Sequence, residues 1–231
     1  MHIEPPHTRL ASFRDFAKHY LMIVLSILTA LGLEAWIEHT QHAHAAATAS
    51  MQIEAEIRSN LAAVDTDAQR DARQLQKLDA IRDAVIHDLK SNAPDDAVRK
   101  HILALTSGGF DLNMQFPTLR HEAWDVAVAN QSASWIDRAR MQRYSAAYAN
   151  ARDSVTLMRE DTAILMNGTG MVDTIADLDV GQVEPRQFLH VVSQMRAMID
   201  QTAQNLRILQ KQLEAALPTA PQRDAGNTGH A

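Results

Sequence analysis

The sequence predicts an all-α fold in which one N-terminal transmembrane helix continues into an antiparallel helical bundle with coiled-coil-like packing. Three observations carry this. One apolar run, residues 20–37, stands in an otherwise polar chain; Gly and Pro are confined to a few places; and the intervals between them hold apolar residues at alternating steps of three and four. Composition agrees: of 231 residues 46% are hydrophobic and 5% aromatic, with only 8 Gly and 7 Pro, and Ala, Leu, Gln and Arg recur, which favours helix over sheet. The net charge of -6 is spread over interspersed acids and bases with no basic stripe, so no nucleic-acid surface is indicated. The absence of cysteine excludes disulfides, thiol catalysis and cysteine-ligated zinc.

The first element is the run "YLMIVLSILTALGLEAWI", Tyr20 to Ile37. At the α-helical rise its length is about 27 Å, close to the thickness of a hydrocarbon core. Glu34 interrupts it near the end, beside Trp36, where a carboxylate reaches the headgroups and an indole is favoured. Arg9, Arg14 and Lys18 precede the run, and no Lys or Arg follows until Arg58. The positive-inside rule therefore places the N-terminus in the cytoplasm and the rest outside a bacterial inner membrane. The organisation expected is an arm (1–19), a span (20–37), an extracytoplasmic helical domain (38–217) and a disordered tail (218–231). A cleaved signal is the rival, since Ala43-His44-Ala45 is an A-x-A triplet; it lies too far past Leu33, across Glu34, Trp36, Glu38 and His39. A buried core helix is the third reading, opposed by a run that is apolar on nearly every face.

Three long intervals without Gly or Pro follow, from Gly32 to Pro94, Pro117 to Gly168 and Pro185 to Pro218, and each predicts a long helix. In the first, Ile53, Ile57, Leu61, Val64, Ala68, Ala72, Leu75, Leu78, Ile81 or Arg82, Val85 and Leu89 form a stripe continuous with the span, loosened at Val64-Asp65-Thr66-Asp67. Pro94 to Leu105 predicts a short helix stopped at Ser107-Gly108-Gly109, and Thr118 to Ala129 another. The second interval repeats every seven residues through Met141, Tyr144, Tyr148, Ala151, Val155, Met158, Thr162 and Leu165. The third holds the repeat most clearly, through Val192, Met195, Ile199, Thr202, Leu206, Leu209, Leu213 and Ala216, behind Glu184-Pro185 as a start signal. Stripes of this kind bury one another, within one chain or between chains.

Two stretches carry a resemblance. Ile27, Leu28, Ala30, Leu31, Trp36 and Glu38, leading into "MQIEAEIRSNLAAV", and the later "FPTLRHEAWDVAVANQSASWID" are similar to segments of a group of small bacterial single-pass membrane proteins of uncharacterised function, over Ile27 to Val64 and Phe116 to Asp137. Gly32 and Glu34 depart from the residues usual in that group. The resemblance implies an inner-membrane tether with a helical outer domain, and no assigned activity.

Candidate chemistry is sparse. Glu38 and His42 share a helix face and could take a divalent metal with ligands from another chain, but His44 points elsewhere; a polar collar at the membrane exit is the simpler reading, and a metal- or pH-responsive role for these histidines is the second alternative. His121-Glu122 lacks the second histidine of a zincin, with Asp at position 125; Gly168-Thr169-Gly170 is no nucleotide loop; Asp95-Asp96, Asp65 and Asp67 read as helix-start and bend residues. Phe110, Phe116, Trp124 and Trp135 could line a pocket at one end of the domain or pack its short helices. Met141, Met158, Met195 and Met198 read as core filler, not as a copper site. No cofactor and no catalytic residue is predicted. The expectation is a non-enzymatic interaction or sensory module, touching lipid through residues 20–37 and a protein partner or a second copy elsewhere. A chemoreceptor-like ligand sensor signalling through a membrane partner is the alternative.

Overall fold

Between Gly32 and Pro94 no residue breaks a helix, and the chain uses that freedom fully. In the computed structural model, which describes residues 13–108, 110, 116–166 and 169–218, helix α1 runs unbroken through 78 residues, Phe13–Lys90. It passes Val64 to Asp67 without loosening, the Thr66 hydroxyl donating to the Ala62 carbonyl at 2.8 Å. The stop is a left-handed turn: Asn92 takes φ 53°, and the Ala93 N–H returns to the Asp88 carbonyl at 3.1 Å. From Ile37 to Lys90 the rod measures about 80 Å at 1.5 Å per residue.

Along its first part α1 stands alone. Leu21, Leu25, Leu28, Leu31 and Leu33 are 55–68% exposed, and the helix is long and apolar enough there to cross a membrane, with a mean hydropathy of 1.9 over a window of which 0% is buried. No other described element covers this run. Residues 1–12 of the predicted arm and 219–231 of the predicted tail lie outside the described residues.

Further helices follow: α2 (Asp95–Thr106), α3 (Glu122–Ala129), a 3-10 turn (Ser132–Trp135), α4 (Arg138–Met166), α5 (Thr169–Asp179) and α6 (Pro185–Ala216). The described residues form no strand. Helix α6 starts where Glu184 and Pro185 direct: the Glu184 carboxylate accepts from the N–H groups of Arg186 (3.3 Å) and Gln187 (2.5 Å), with proline in the first turn. Helix α3 begins at Glu122 rather than Thr118, and the cause is tertiary. Asn60 of α1 clasps Arg120, donating to its carbonyl and accepting from its N–H, both at 2.8 Å, which holds 116–120 out of helix. Helix α5 was not anticipated between Gly168 and Pro185. It ends in a turn at Gly181, φ 71°, a position that suits glycine.

Two apolar clusters order these elements. One joins Ile53, Ile57 and Val64 of α1 to Leu206, Leu209 and Leu213 of α6 and Tyr144, Tyr148 and Met158 of α4. The other joins Leu78 and Val85 to Val192, Met195 and Ile199, with Val98 and Ile102 of α2. As α1 ascends, its partners on α6 descend, so these helices are antiparallel. The six stripe residues Val192, Met195, Ile199, Leu206, Leu209 and Leu213 are at most 2% exposed, each adding about 1.5–3 kcal/mol of burial. The side chains of Thr162 and Leu165 lie outside those described.

The stripe of α1 differs from the predicted one at three places. Asn60, Asp67 and Asp71 are buried, at 1%, 7% and 6% exposure, where Leu61, Ala68 and Ala72 were expected; Leu61 and Ala68 are half-buried and Ala72 is exposed. Ile53, Ile57, Asn60, Val64, Asp67, Asp71, Leu78 and Val85 all sit on one seven-residue lattice. The seam keeps that lattice through polar positions instead of shifting to the nearest apolar neighbour.

Candidate functional site

Asp67 and Asp71 occupy the stretch of α1 between the two apolar clusters, and buried Thr202 occupies the matching stretch of α6. Asp67 is paired with Arg70 at 2.9 Å. One carboxylate oxygen of Asp71, Oδ2, is buried without a hydrogen-bond partner. Burial first, then the charge of Asp67, pushes the Asp71 carboxyl up to about 6 against the opposing pull of Arg70.

On the next turns Arg70, Arg73 and Lys77 recur at steps of three and four and line a cavity of about 520 Å³. Its apolar side is made by Ile81, Leu105 and Phe110, the last two contributed by the end of α2 and the segment after it. Two guanidinium groups and an ammonium against hydrocarbon suit an anion with an apolar body. The charged side chains in the described lining, Arg70, Arg73 and Lys77, are all cationic. The spacing of these cations is visible in the sequence; their joining to Leu105 and Phe110 is not.

The four aromatic residues that could line a pocket or pack the short helices lie in different surroundings. Phe110 packs on Phe188, with ring centroids 5.5 Å apart. Trp124 stacks on Tyr148 at 5.2 Å. Phe116 lies against the first cluster, and Trp135 stacks on His42 at 3.5 Å with the rings 9° from parallel. Each follows the element that carries it, and those elements meet α1 and α6 at different heights.

At the end of the apolar run, His42 Nε2 stands 4.0 Å from Glu38 Oε1. No group of three His, Cys, Asp or Glu side chains converges on a metal-sized site among the described residues. His121 instead binds Asp125 at 2.7 Å. Higher on α1, two buried tyrosines of α4 donate to carboxylates: Tyr144 Oη to Glu54 at 2.8 Å and Tyr148 Oη to Glu56 at 2.6 Å. Glu56 also accepts from the Ala123 N–H at 2.9 Å, tying α3 to the same point. Burial, and then the facing carboxylate, pushes the Tyr144 phenol up to about 12 and the Tyr148 phenol higher still. Both are positioning groups that set the register of α4 on α1.

The fold thus defines an all-helical protein with one candidate membrane-spanning helix and a cationic cavity on its far half. Compared with family models, with curated proteins and with solved structures, the chain matches none.

Proposed function

We propose that this chain is a membrane-tethered interaction module of the bacterial envelope, with α1 crossing the inner membrane once, its N-terminus cytoplasmic, and a coiled-coil-like antiparallel bundle standing outside. One observation carries the reading: the apolar run and the spine of the folded domain are the same uninterrupted helix. A rod of this kind carries position and orientation from the bilayer along the whole length of the domain, about 80 Å. Retention of the run agrees with His42, which cleavage after the A-x-A triplet would remove, stacking on Trp135. The surface offered to a partner or a second copy lies on α4 and α6, where Leu157 and Ile208 are 47% and 56% exposed across a shared groove. No catalytic role is assigned.

The test is a fusion at Ala231 of alkaline phosphatase, paired with a cytoplasm-active fluorescent protein, together with the mass of the membrane-extracted chain. An active phosphatase on a full-length chain supports the tether. A fluorescent, phosphatase-inactive fusion refutes the orientation, and an active phosphatase on a chain lacking its first 45 residues refutes the tether.

A second reading, ligand sensing, is favoured by the Arg70, Arg73 and Lys77 cavity. Naphthoate, an anion with an apolar body, should raise the melting temperature of the full chain. Arg73→Ala/Lys77→Ala should remove that rise, and an equal rise in both proteins would refute the reading.

A further inference from the structure

Trp135 is a large indole left 51% exposed, whereas the other aromatic residues beyond the apolar run, Phe110, Phe116, Trp124, Tyr144, Tyr148 and Phe188, are buried or half-buried. Its place is set by its stack on His42, at 3.5 Å and 9°. His42 lies five residues beyond Ile37, the last residue of the apolar run, which is about 7.5 Å along the helix axis. The headgroup layer on each side of a bilayer is about 5–8 Å deep. If the run spans the hydrocarbon, the Trp135 ring lies beside α1 in the headgroup layer, the depth at which indoles partition most favourably.

The chain around Trp135 has the shape and charge for that position. From Arg120, level with Asn60, through Ala123, level with Glu56, the segment descends along α1 until the 3-10 turn reaches His42. Helix α4 then climbs back, with Tyr144 at Glu54 and Tyr148 at Glu56. The turn is therefore the part of this segment closest to the span. Val126 and Val128, on the descending helix, are 54% and 50% exposed. Arg138 and Arg143 follow on the first two turns of α4, exposed and in no ion pair among the described residues, while Arg140 is held by Asp137 at 3.1 Å. Asp137 caps α4, accepting from the Arg140 N–H at 3.1 Å as well as pairing with its guanidinium, so the one carboxylate at this helix start is committed to Arg140. Anionic headgroups would pair with Arg138 and Arg143.

We infer that the turn at Trp135 is a second membrane contact, docking the base of the domain on the lipid surface beside α1, with the indole among the headgroups and Arg138 and Arg143 facing lipid phosphates. This rests on the tether proposed above. Two contacts on one face fix the tilt and rotation of the rod, which a single span leaves to neighbouring helices.

The test is quenching of single-tryptophan full chains in vesicles of phosphatidylcholine and phosphatidylglycerol, with lipid brominated near the top of the acyl chain. Trp36→Phe/Trp124→Phe leaves Trp135 as reporter; parallel variants leave Trp36 or Trp124. The expected result is a drop of about twofold for Trp36 and Trp135, as for indoles at the interface, and none for Trp124. Quenching of Trp36 with Trp135 unaffected would overturn the docking and leave the tether standing. Failure of both to quench would overturn the tether and the docking with it. Arg138→Glu/Arg143→Glu should weaken quenching of Trp135 and spare Trp36; unchanged quenching of Trp135 would overturn the assignment to anionic headgroups. Protection of Trp135 from both brominated lipid and aqueous iodide would overturn it in favour of a protein contact.

Discussion

Replacing Asp71 by Asn should stabilise the protein near neutral pH and do nothing in acid. Asp71 is 6% exposed and one of its oxygens has no hydrogen-bond partner. Its carboxyl is raised from 3.8 to about 6, by burial first and the Asp67 charge second. Below about pH 4 the carboxyl is protonated in both folded and unfolded chains, and the shift has no effect on stability. As pH rises toward about 6 the unfolded chain ionises first, so folded stability falls; above that the loss is constant. About two pKa units at 1.36 kcal/mol each set a ceiling of about 3 kcal/mol, and water reaching the seam edge lowers this to about 1–3 kcal/mol. For a chain of this size that is a melting-temperature gain of about 3–8 °C. The assay is thermal unfolding of the detergent-solubilised full chain by circular dichroism at about pH 4 and about pH 7.5, comparing Asp71→Asn with the parent so that other titrating groups cancel. A variant less stable than the parent at the higher pH, or a difference that does not change with pH, would refute the reasoning.

Leu206→Asp places a charge where exposure is 0% and should cost more than about 3 kcal/mol; an unchanged melting curve would sink the α1–α6 packing. Asn60→Ala removes both bonds to Arg120 and should cost about 2–3 kcal/mol, with a changed near-ultraviolet signal from neighbouring Trp124. The raised phenols of Tyr144 and Tyr148 contribute stability that is complete below about pH 10 and lost as pH climbs toward their folded values. Tyr144→Phe/Tyr148→Phe should therefore flatten the alkaline fall in stability; an equally steep fall in the double variant would exclude these phenols as its cause.

Much of the helix layout was legible because its causes are local. Pro94, Pro117 and Pro185 punctuate the chain: α2, α4 and α6 lie where the intervals between Gly and Pro allow them, and α1, which also runs through Gly32, ends before Pro94. The candidate site was less legible. Arg70, Arg73 and Lys77 share a face by spacing alone, yet only the end of α2, folded back on α1, turns that face into a cavity. The surroundings of the aromatic residues were not legible either: Trp124 and Trp135 are close in sequence, but the segment descends along α1 between them, so one meets Tyr148 and the other His42.

By itself the sequence determined that this protein is helical, where most helices start and stop, and that one of them is long and apolar enough to cross a membrane. Backbone propensity, capping and side-chain period act within a few residues, and those distances can be read along the chain. The tertiary structure alone decided which of two neighbours faces the seam. Asn60, Asp67 and Asp71 turn inward while Leu61, Ala68 and Ala72 turn partly or wholly outward. The reason is rotational: α1 is one rigid helix, and the large apolar residues at its two clusters set its rotation against α6. The residues within and between the clusters must accept the face that rotation assigns to them.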